Sequence, residues 1–290
     1  MKKNYIIIPT YNDWKSLNKL LGVLNINFQN SKTEINILIV NDGSTEKFNL
    51  DAIKLKSIKK IILINLKKNS GNQKAIFIGL KYLQKKIKKL HPNDLISILD
   101  SDGEDDPKKL IKLIKLAAQK KDFFIFARRL KRTENMFLKI LNIMRLFINY
   151  ILTGKSINFG NFSTFSLNNL NKILANDNLY LAYSSGVLKN CKNILFLDID
   201  KKKRYFGTSK VNFLFLFNHS IKIISVFYKK VFLRTLLLLI FFLIFYKNIY
   251  LKIIFFIIFI LINITVFSYN KFNLPQKNIL RSIKKVDFIK

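Results

Sequence analysis

The chain has 290 residues, enough to bury a substantial core in one large domain or in a domain with an appendage. It carries 51 Lys+Arg against 17 Asp+Glu, a formal net charge of +34, yet 50% of its residues are hydrophobic. That pairing excludes a disordered polyelectrolyte, one cysteine excludes a disulfide framework or a Cys-rich zinc site, and two histidines exclude a His cluster for a metal. The basic residues are 44 Lys and only 7 Arg. Base readers lean on the bidentate fork of arginine, so the balance argues against nucleic acid as the partner. Lysine-rich flanks suit an anionic membrane surface better.

The start, Met1-Lys2-Lys3-Asn4, leads into an apolar run too short for a secretory signal. We therefore expect the N-terminal part to be folded and cytoplasmic. Short apolar runs predict strands at Tyr5–Ile8, Ile35–Val40, Ile61–Asn65, Leu95–Leu99 and Phe123–Ala127. Helical spacing predicts helices at Ser16–Phe28, Gln73–Leu90 and Pro107–Lys120, the last with proline in its first turn. Strands alternating with helices imply an α/β fold around a mainly parallel sheet covered on both faces. Ligands of such sheets bind at the carboxyl ends of the strands.

Composition changes at Val231. The next 39 residues, to Tyr269, contain three charges, Arg234, Lys247 and Lys252. About 20 apolar residues cross a bilayer as a helix, so two spans are expected, Val231–Tyr246 and Ile249–Tyr269, turning at Lys247-Asn248. Val211–Tyr228 reads as an interfacial helix leading into them. Lysines and arginines flank both ends of the pair, at Lys222, Lys229 and Lys230 and from Lys271 to Lys290. This bias places both termini on the cytoplasmic side of an inner membrane. The expected organisation is a catalytic domain over 1–210, an interfacial segment over 211–230, two membrane helices over 231–270 and a basic cytoplasmic tail over 271–290.

Acidic residues are scarce, so their placement carries weight. Five of the 17 fall in Asp100-Ser101-Asp102-Gly103-Glu104-Asp105-Asp106. Asp105 and Asp106 suit a helix N-terminus. Asp100 ends an apolar strand and is not explained that way. Two carboxylates one residue apart at a strand end can converge on a hard cation such as Mg²⁺ or Mn²⁺. Other strand ends are polar too: Pro9-Thr10-Tyr11-Asn12-Asp13, Asn41-Asp42-Gly43-Ser44 and Asn69-Ser70-Gly71-Asn72-Gln73-Lys74. Three of the seven arginines, Arg128, Arg129 and Arg132, follow the fifth strand. A phosphate contact is expected of Arg128, at the strand end, whereas Arg129 and Arg132 fit either a site or a solvated loop.

In this order and spacing, the motifs at Pro9–Asp13, Asn41–Ser44 and Asp100–Asp102 resemble the family 2 glycosyltransferases with the GT-A fold. The resemblance covers about residues 4–210. The chain is similar to the membrane-anchored branch that includes dolichyl-phosphate mannosyltransferases and bacterial polyprenyl-phosphate glycosyltransferases. Arg204-Tyr205-Phe206-Gly207-Thr208-Ser209-Lys210 is similar to the basic element that precedes the membrane helices there. The resemblance implies an inverting transfer from a nucleotide-sugar donor in cell-envelope glycan synthesis. Pro9, Tyr11, Asn12 and Asp13 would line the nucleotide pocket, Asp42 would meet base or ribose, and Lys74 fits either the site or a solvated helix face. Asp100, Asp102 and Glu104 would hold the metal. Arg204 and Lys210 would grip a polyprenyl phosphate, an acceptor that is already an anion and needs no base. A hydroxyl on a lipid-linked saccharide is the alternative acceptor, and Asp105 or Asp106 would then be the base. A non-catalytic assembly subunit is the reading from another class, and the intact Asp42, Asp100 and Asp102 argue against it. A nucleotidyltransferase would need a glycine-rich loop after the first strand, and Pro9-Thr10-Tyr11-Asn12 has no glycine. Monomer and homo-oligomer stay open alternatives.

Overall fold

A computed structural model describes residues 2–31, 33–49, 55–87, 90–129, 136–200, 202–207, 213–275 and 278–290. In chain order the elements are β1 (Lys3–Thr10), α1 (Trp14–Asn27), β2 (Glu34–Asn41), β3 (Ile58–Leu66), α2 (Asn72–Lys86), β4 (Leu95–Ile98), α3 (Pro107–Gln119) and β5 (Phe124–Arg129). They continue with α4 (Met136–Thr153), β6 (Ser163–Ser166), α5 (Leu170–Leu174), α6 (Tyr183–Asn190) and β7 (Ile194–Ile199). The last are α7 (Phe213–Val226), α8 (Tyr228–Phe245), α9 (Ile249–Asn273) and β8 (Ile283–Phe288). The chain divides into two compact units. One comprises Met1–Arg132, Phe159–Ser209 and Pro275–Lys290; the other comprises Thr133–Asn158 and Lys210–Leu274.

The first unit is built on an eight-stranded sheet in the order β7-β5-β6-β4-β1-β2-β3-β8. β1 pairs in parallel with β2 and β4, β2 with β3, and β5 with β7, while β6 and β8 run antiparallel to their neighbours. The central strands are apolar almost without interruption because helices cover both faces. Ile7, Leu38, Val40 and Ile64 pack with Ile76, Phe77, Leu80 and Leu83 of α2. Ile6, Ile8, Ile37, Ile39 and Leu63 pack with Leu17, Leu20 and Leu24 of α1 and with Leu110 and Leu113 of α3. Contact with α2 is close: a Cβ on Gly79 would meet Ile7 Cγ2 at 2.9 Å and Val40 Cγ2 at 3.0 Å. At the start of α3, the Asp106 side chain accepts from Lys108 N–H and Pro107 fills the first turn. All five expected strands and all three expected helices of this unit are present, each within a few residues of its predicted bounds.

The second unit is helical. α9 has 25 residues and a mean hydropathy of 2.6 over its most apolar 18-residue window, of which only 6% is buried. A soluble core helix of that character would be covered. Asn248 caps it, its side chain accepting from Tyr250 N–H and Leu251 N–H. Asn263 donates across to Thr235 Oγ1 at 2.9 Å, and Asn270 donates to the Ser225 carbonyl at 2.9 Å. Arg234 Nη1 donates to the Ile151 carbonyl at 3.1 Å, so its guanidinium lies at the carboxyl end of α4.

Of the expected organisation, one membrane span is supported and the other is not confirmed, and two boundaries need correction. Among the described residues only α9 is long and apolar enough to cross a membrane. α8 is shorter, 18 residues, and starts at Tyr228, so it carries Lys229, Lys230 and Arg234. The segment from Thr133 to Asn158 belongs with the helical unit, so the first unit is not an unbroken 1–210. Residues 271–290 are not a free tail: α9 ends at Asn273 and Ile283–Phe288 pairs antiparallel with β3 as strand β8. The edge of β3 needed partners for its backbone groups, and Ile279, Leu280, Ile283 and Val286 pack onto the apolar face of the sheet.

Candidate active site

The carboxyl ends of β1, β2, β3, β4 and β5 share one rim because these strands run in the same direction. Along β4 the rim is acidic. Asp100 and Asp102 are partly exposed, whereas Glu104, Asp105 and Asp106 are buried at 9%, 2% and 7% exposure. Two arginines enter this cluster. Arg129 donates to Asp105 at 2.8 Å and to Glu104 at 3.3 Å. Arg204 donates to Asp102 at 2.6 Å and to Glu104 at 3.1 Å. Burial works against the charge of Arg129, but Asp105, then Asp100 and Glu104, hold its pKa above the usual value. Four carboxylates, those of Asp100, Asp102, Glu104 and Asp105, thus meet two guanidiniums.

The shortfall of positive charge falls on the Asp pair. Burial, then the charges of Asp105 and Asp102, push the Asp100 carboxyl well above the usual range, against a 3.1 Å bond from Asn72. Burial also raises Asp102, against the Glu104 N–H and Arg204. A strand-end carboxylate pair in a cluster of four carboxylates and two guanidiniums fits a hard divalent cation. Of the expected three-ligand set, Glu104 has both oxygens facing arginines in this structure. Among the described residues no three His, Cys, Asp or Glu side chains gather as a metal-holding group.

A short strap crosses this cluster. Lys202 N–H donates to the Glu104 carbonyl and Tyr205 N–H to the Asp102 carbonyl. The Tyr205 ring lies against Gly103, where a Cβ would come within 2.5 Å of it, and Gly103 has φ +80°. The strap carries Arg204 to Asp102. Burial works against the Arg204 charge, but Asp102, Glu104 and, more weakly, Asp13 raise its pKa. Arg204 was expected to hold a lipid phosphate; in this structure it holds the carboxylates. Lys210, its expected companion, lies outside the described residues, as does Arg132.

The remaining rim is polar and tied together. Pro9 is buried in β1 opposite Val40, and Tyr11 is 42% exposed beyond it. Asn12 has φ +48°; its N–H donates to Ser44 Oγ and its Oδ1 accepts from Thr45 N–H, both at 2.9 Å. Asp13 begins α1 without a side-chain cap bond. Asp42 does not stand open to a nucleotide: it is 3% exposed and accepts from Ser70 N–H at 2.8 Å and Gly71 N–H at 2.7 Å. Burial raises its pKa against those two bonds and against Lys74. Asp42 therefore holds the turn that opens α2. Lys74 sits 4.9 Å from the centre of the Tyr180 ring.

Arg128 and Arg129 exchange their expected places. Arg128 makes two bonds, of 2.7 and 3.0 Å, to Asp198 on β7, with both side chains more than a third exposed. Successive residues of a strand point to opposite faces, so Arg129 turns to the acidic cluster instead. Asp105, a candidate base, accepts from Arg129 and is buried. Asn72 and Gln73 were not singled out from sequence. Gln73 donates to Asn161 and accepts from Tyr183 N–H at 2.6 Å, which joins α2 to the Gly160–Ser163 segment. Their only sequence signal was their position after a strand end.

A family model described as "Glycosyl transferase family 2" matches residues 5–173. The undecaprenyl-phosphate 4-deoxy-4-formamido-L-arabinose transferase of Photorhabdus laumondii is 31% identical over 150 residues, covering 50% of this chain and 43% of that protein. The enzyme of the same name from Yersinia pestis is 28% identical over 159 residues, covering 54% and 46%. The chain thus matches less than half the length of these relatives. Among solved structures, mannosyl-3-phosphoglycerate synthase from Rubrobacter xylanophilus aligns with a TM-score of 0.53 at 11% identity, over 79% of this chain and 74% of that one. Glucosyl-3-phosphoglycerate synthase from Mycobacterium tuberculosis, solved with Mn²⁺, UDP-glucose and phosphoglyceric acid, aligns with a TM-score of 0.51 at 10% identity, over 79% and 80%. At such identities the alignments speak for a GT-A-like α/β fold alone. With a family model matched over more than half of its length, and with that fold beneath it, the chain belongs to glycosyl transferase family 2.

Proposed function

We propose that the chain is a membrane-anchored inverting glycosyltransferase. It moves a sugar from a nucleotide-sugar donor to a polyprenyl phosphate in cell-envelope glycan synthesis. The observation that carries this reading is the gathering of Asp100, Asp102, Glu104 and Asp105 at the carboxyl rim of the sheet around two arginines, Arg129 and Arg204. Asp100 and Asp102 would hold Mg²⁺ or Mn²⁺, which supplies charge neutralisation to a diphosphate leaving group. Arg204, beside the pair, adds a fixed positive charge of the kind that suits phosphate oxygens. Tyr11, Asn12 and Asp13 line the nucleotide side, and Asp42 positions the Ser70–Gly71 turn beside it. A phosphate acceptor attacks as an anion, so the mechanism needs no free base, consistent with the commitment of Asp105 to Arg129.

The lipid acceptor is supported by the exposed apolar surface of α9 and by the polyprenyl-phosphate substrates in the names of the relatives. α9 spans the bilayer with α8 beside it, and the basic flanks keep the sheet unit on the cytoplasmic side. A reporter inserted at Asn248 is then external and one fused after Lys290 cytoplasmic; a cytoplasmic signal at both overturns this topology. To test the reaction, membranes containing the full chain are incubated with a panel of radiolabelled nucleotide sugars and the lipid is extracted. One labelled lipid phosphate is the expected product. Label found only on a water-soluble acceptor overturns the lipid reading, and no transfer from any donor overturns the enzyme.

A further inference from the structure

β8 does more than cover an edge. On the face of the sheet that carries Leu63, a row of polar side chains crosses from β8 to the loops of the nucleotide side. Lys285 Nζ lies 2.6 Å from Asp287 Oδ1. Asp287 Oδ2 accepts from the Asn65 amide nitrogen at 3.0 Å. Asn65 Oδ1 accepts from the Asn41 amide nitrogen at 2.8 Å, and Asn41 Oδ1 accepts from Ser44 N–H at 2.9 Å. Ser44 Oγ in turn accepts from Asn12 N–H, whose side chain receives Thr45 N–H. The row starts 222 residues from Asn65 in sequence and ends on the turn between β1 and α1.

The directions of the amide bonds in this row are set by its two ends, the Asp287 carboxylate and the Ser44 N–H. A carboxamide has an acceptor and a donor that exchange on a half-turn of the amide, whereas an ionised carboxylate only accepts. Asp287 therefore takes the NH₂ of Asn65 and turns its oxygen toward Asn41. Asn41 must then present NH₂ to Asn65 and its oxygen to Ser44. Without Asp287 the Asn65 NH₂ loses its acceptor, and the row is held from the Ser44 side alone. An unmet buried donor is costly, and Asn41 is only 9% exposed.

We propose that Asp287 is a positioning residue for the nucleotide pocket. Through Asn65 and Asn41 it fixes the Ser44–Thr45 loop and the Tyr11–Asp13 turn in the form that receives a nucleoside diphosphate. The ligand part of this inference rests on the function proposed above; the relay itself does not. Two measurements on the full detergent-purified chain separate them.

The first is amide hydrogen exchange. In Asp287→Leu, residues 42–46 should exchange about tenfold faster or more, the scale of one lost buried hydrogen bond. Asp287→Asn, which keeps an acceptor, should stay within about threefold, and Lys285→Ala within about twofold. The amides of Lys67 and Ile289, which bond to Ser282 and Ile61, report whether β8 stays docked. Should they loosen in Asp287→Leu, Asn65→Leu cuts the row while leaving every β8 residue unaltered and should give the same local acceleration, with Lys67 and Ile289 again reporting docking. Unchanged exchange at 42–46 in Asn65→Leu, or in Asp287→Leu with β8 docked, overturns the relay.

The second is titration with UDP, GDP, CDP and dTDP in the presence of MnCl₂. Whichever diphosphate binds the unaltered chain should bind Asp287→Leu about three- to tenfold more weakly, with Asp287→Asn close to normal. Equal affinities overturn the link from relay to pocket. No binding by the unaltered chain overturns the nucleotide reading, while the exchange experiment still decides the relay.

Discussion

The two units treat polar groups in apolar surroundings in opposite ways. In the helical unit several such groups find a neutral partner: Asn263 reaches Thr235, Asn270 reaches the Ser225 carbonyl, and Arg234 meets the end of α4. The exception is Asn149 of α4, whose buried side-chain amide has no hydrogen-bond partner among the described residues but carries no charge. In the sheet unit the rim at β4 gathers Asp100, Asp102, Glu104 and Asp105 around Arg129 and Arg204, and a residual negative charge remains on the Asp pair. Satisfied neutral pairs mark packing. A charge imbalance held in a desolvated place is expensive, and its survival points to a ligand that completes it. The comparison yields predictions that can break it.

The largest effect is expected where the imbalance is greatest. Asp102→Asn should lower lipid glycosylation by about a hundredfold or more, the scale of losing a group that stabilises developing charge. Circular dichroism and melting should be little changed, because the substitution removes repulsion as well as a partner of Arg204. Full activity in this variant, or full activity in excess EDTA, sinks the metal assignment.

Arg129 should come next, but in stability. Truncation to alanine leaves Asp105 buried at 2% exposure without its cation. Breaking a buried pair from one side costs about 3–5 kcal/mol. Denaturant unfolding of Arg129→Ala should show that loss, and adding Asp105→Asn should recover part of it. A double variant no better than the single one means that Arg129 acts on something other than the carboxylate. In the helical unit, Asn263→Leu should cost about 1 kcal/mol and leave transfer unchanged, since polar contacts between apolar helices contribute about that much. A large loss of activity there breaks the contrast between the units.

Much of this was legible in sequence because it rests on local pattern. The strands from Tyr5 to Ala127 announced themselves as apolar runs, and the acidic cluster stood out because carboxylates are rare in this chain. What stayed hidden depends on distant residues. Arg204 meets Asp102 across 102 positions, and no local rule connects them. β8 reads Ile283-Lys284-Lys285-Val286-Asp287-Phe288, without a regular apolar alternation, so its strand pattern was submerged in a basic stretch. The backbone partners of Asp42 stayed hidden for a related reason: a carboxylate in a turn reads the same whether or not it also accepts from the backbone of Ser70 and Gly71.

The smallest effect is the sharpest check on the reading of the rim, and it concerns the neighbour of Arg129. Sequence favoured Arg128 for function because it ends the strand first. The structure gives the two arginines opposite faces of β5, so one backbone step separates a buried partner from an exposed one. Arg128 and Asp198 are a bidentate pair, but their side chains are 36% and 39% exposed, and water screens such pairs strongly. Asp198 also keeps access to solvent when its partner is removed, so no desolvated charge is stranded. Arg128→Ala should therefore leave the melting temperature within measurement error and change transfer by less than about twofold. The same substitution one residue later should be the most destabilising of the set. If Arg128→Ala instead abolishes transfer while the fold persists, Arg128 contacts the substrate directly. The charge balance around Arg129 would then describe the stability of the rim and not its chemistry.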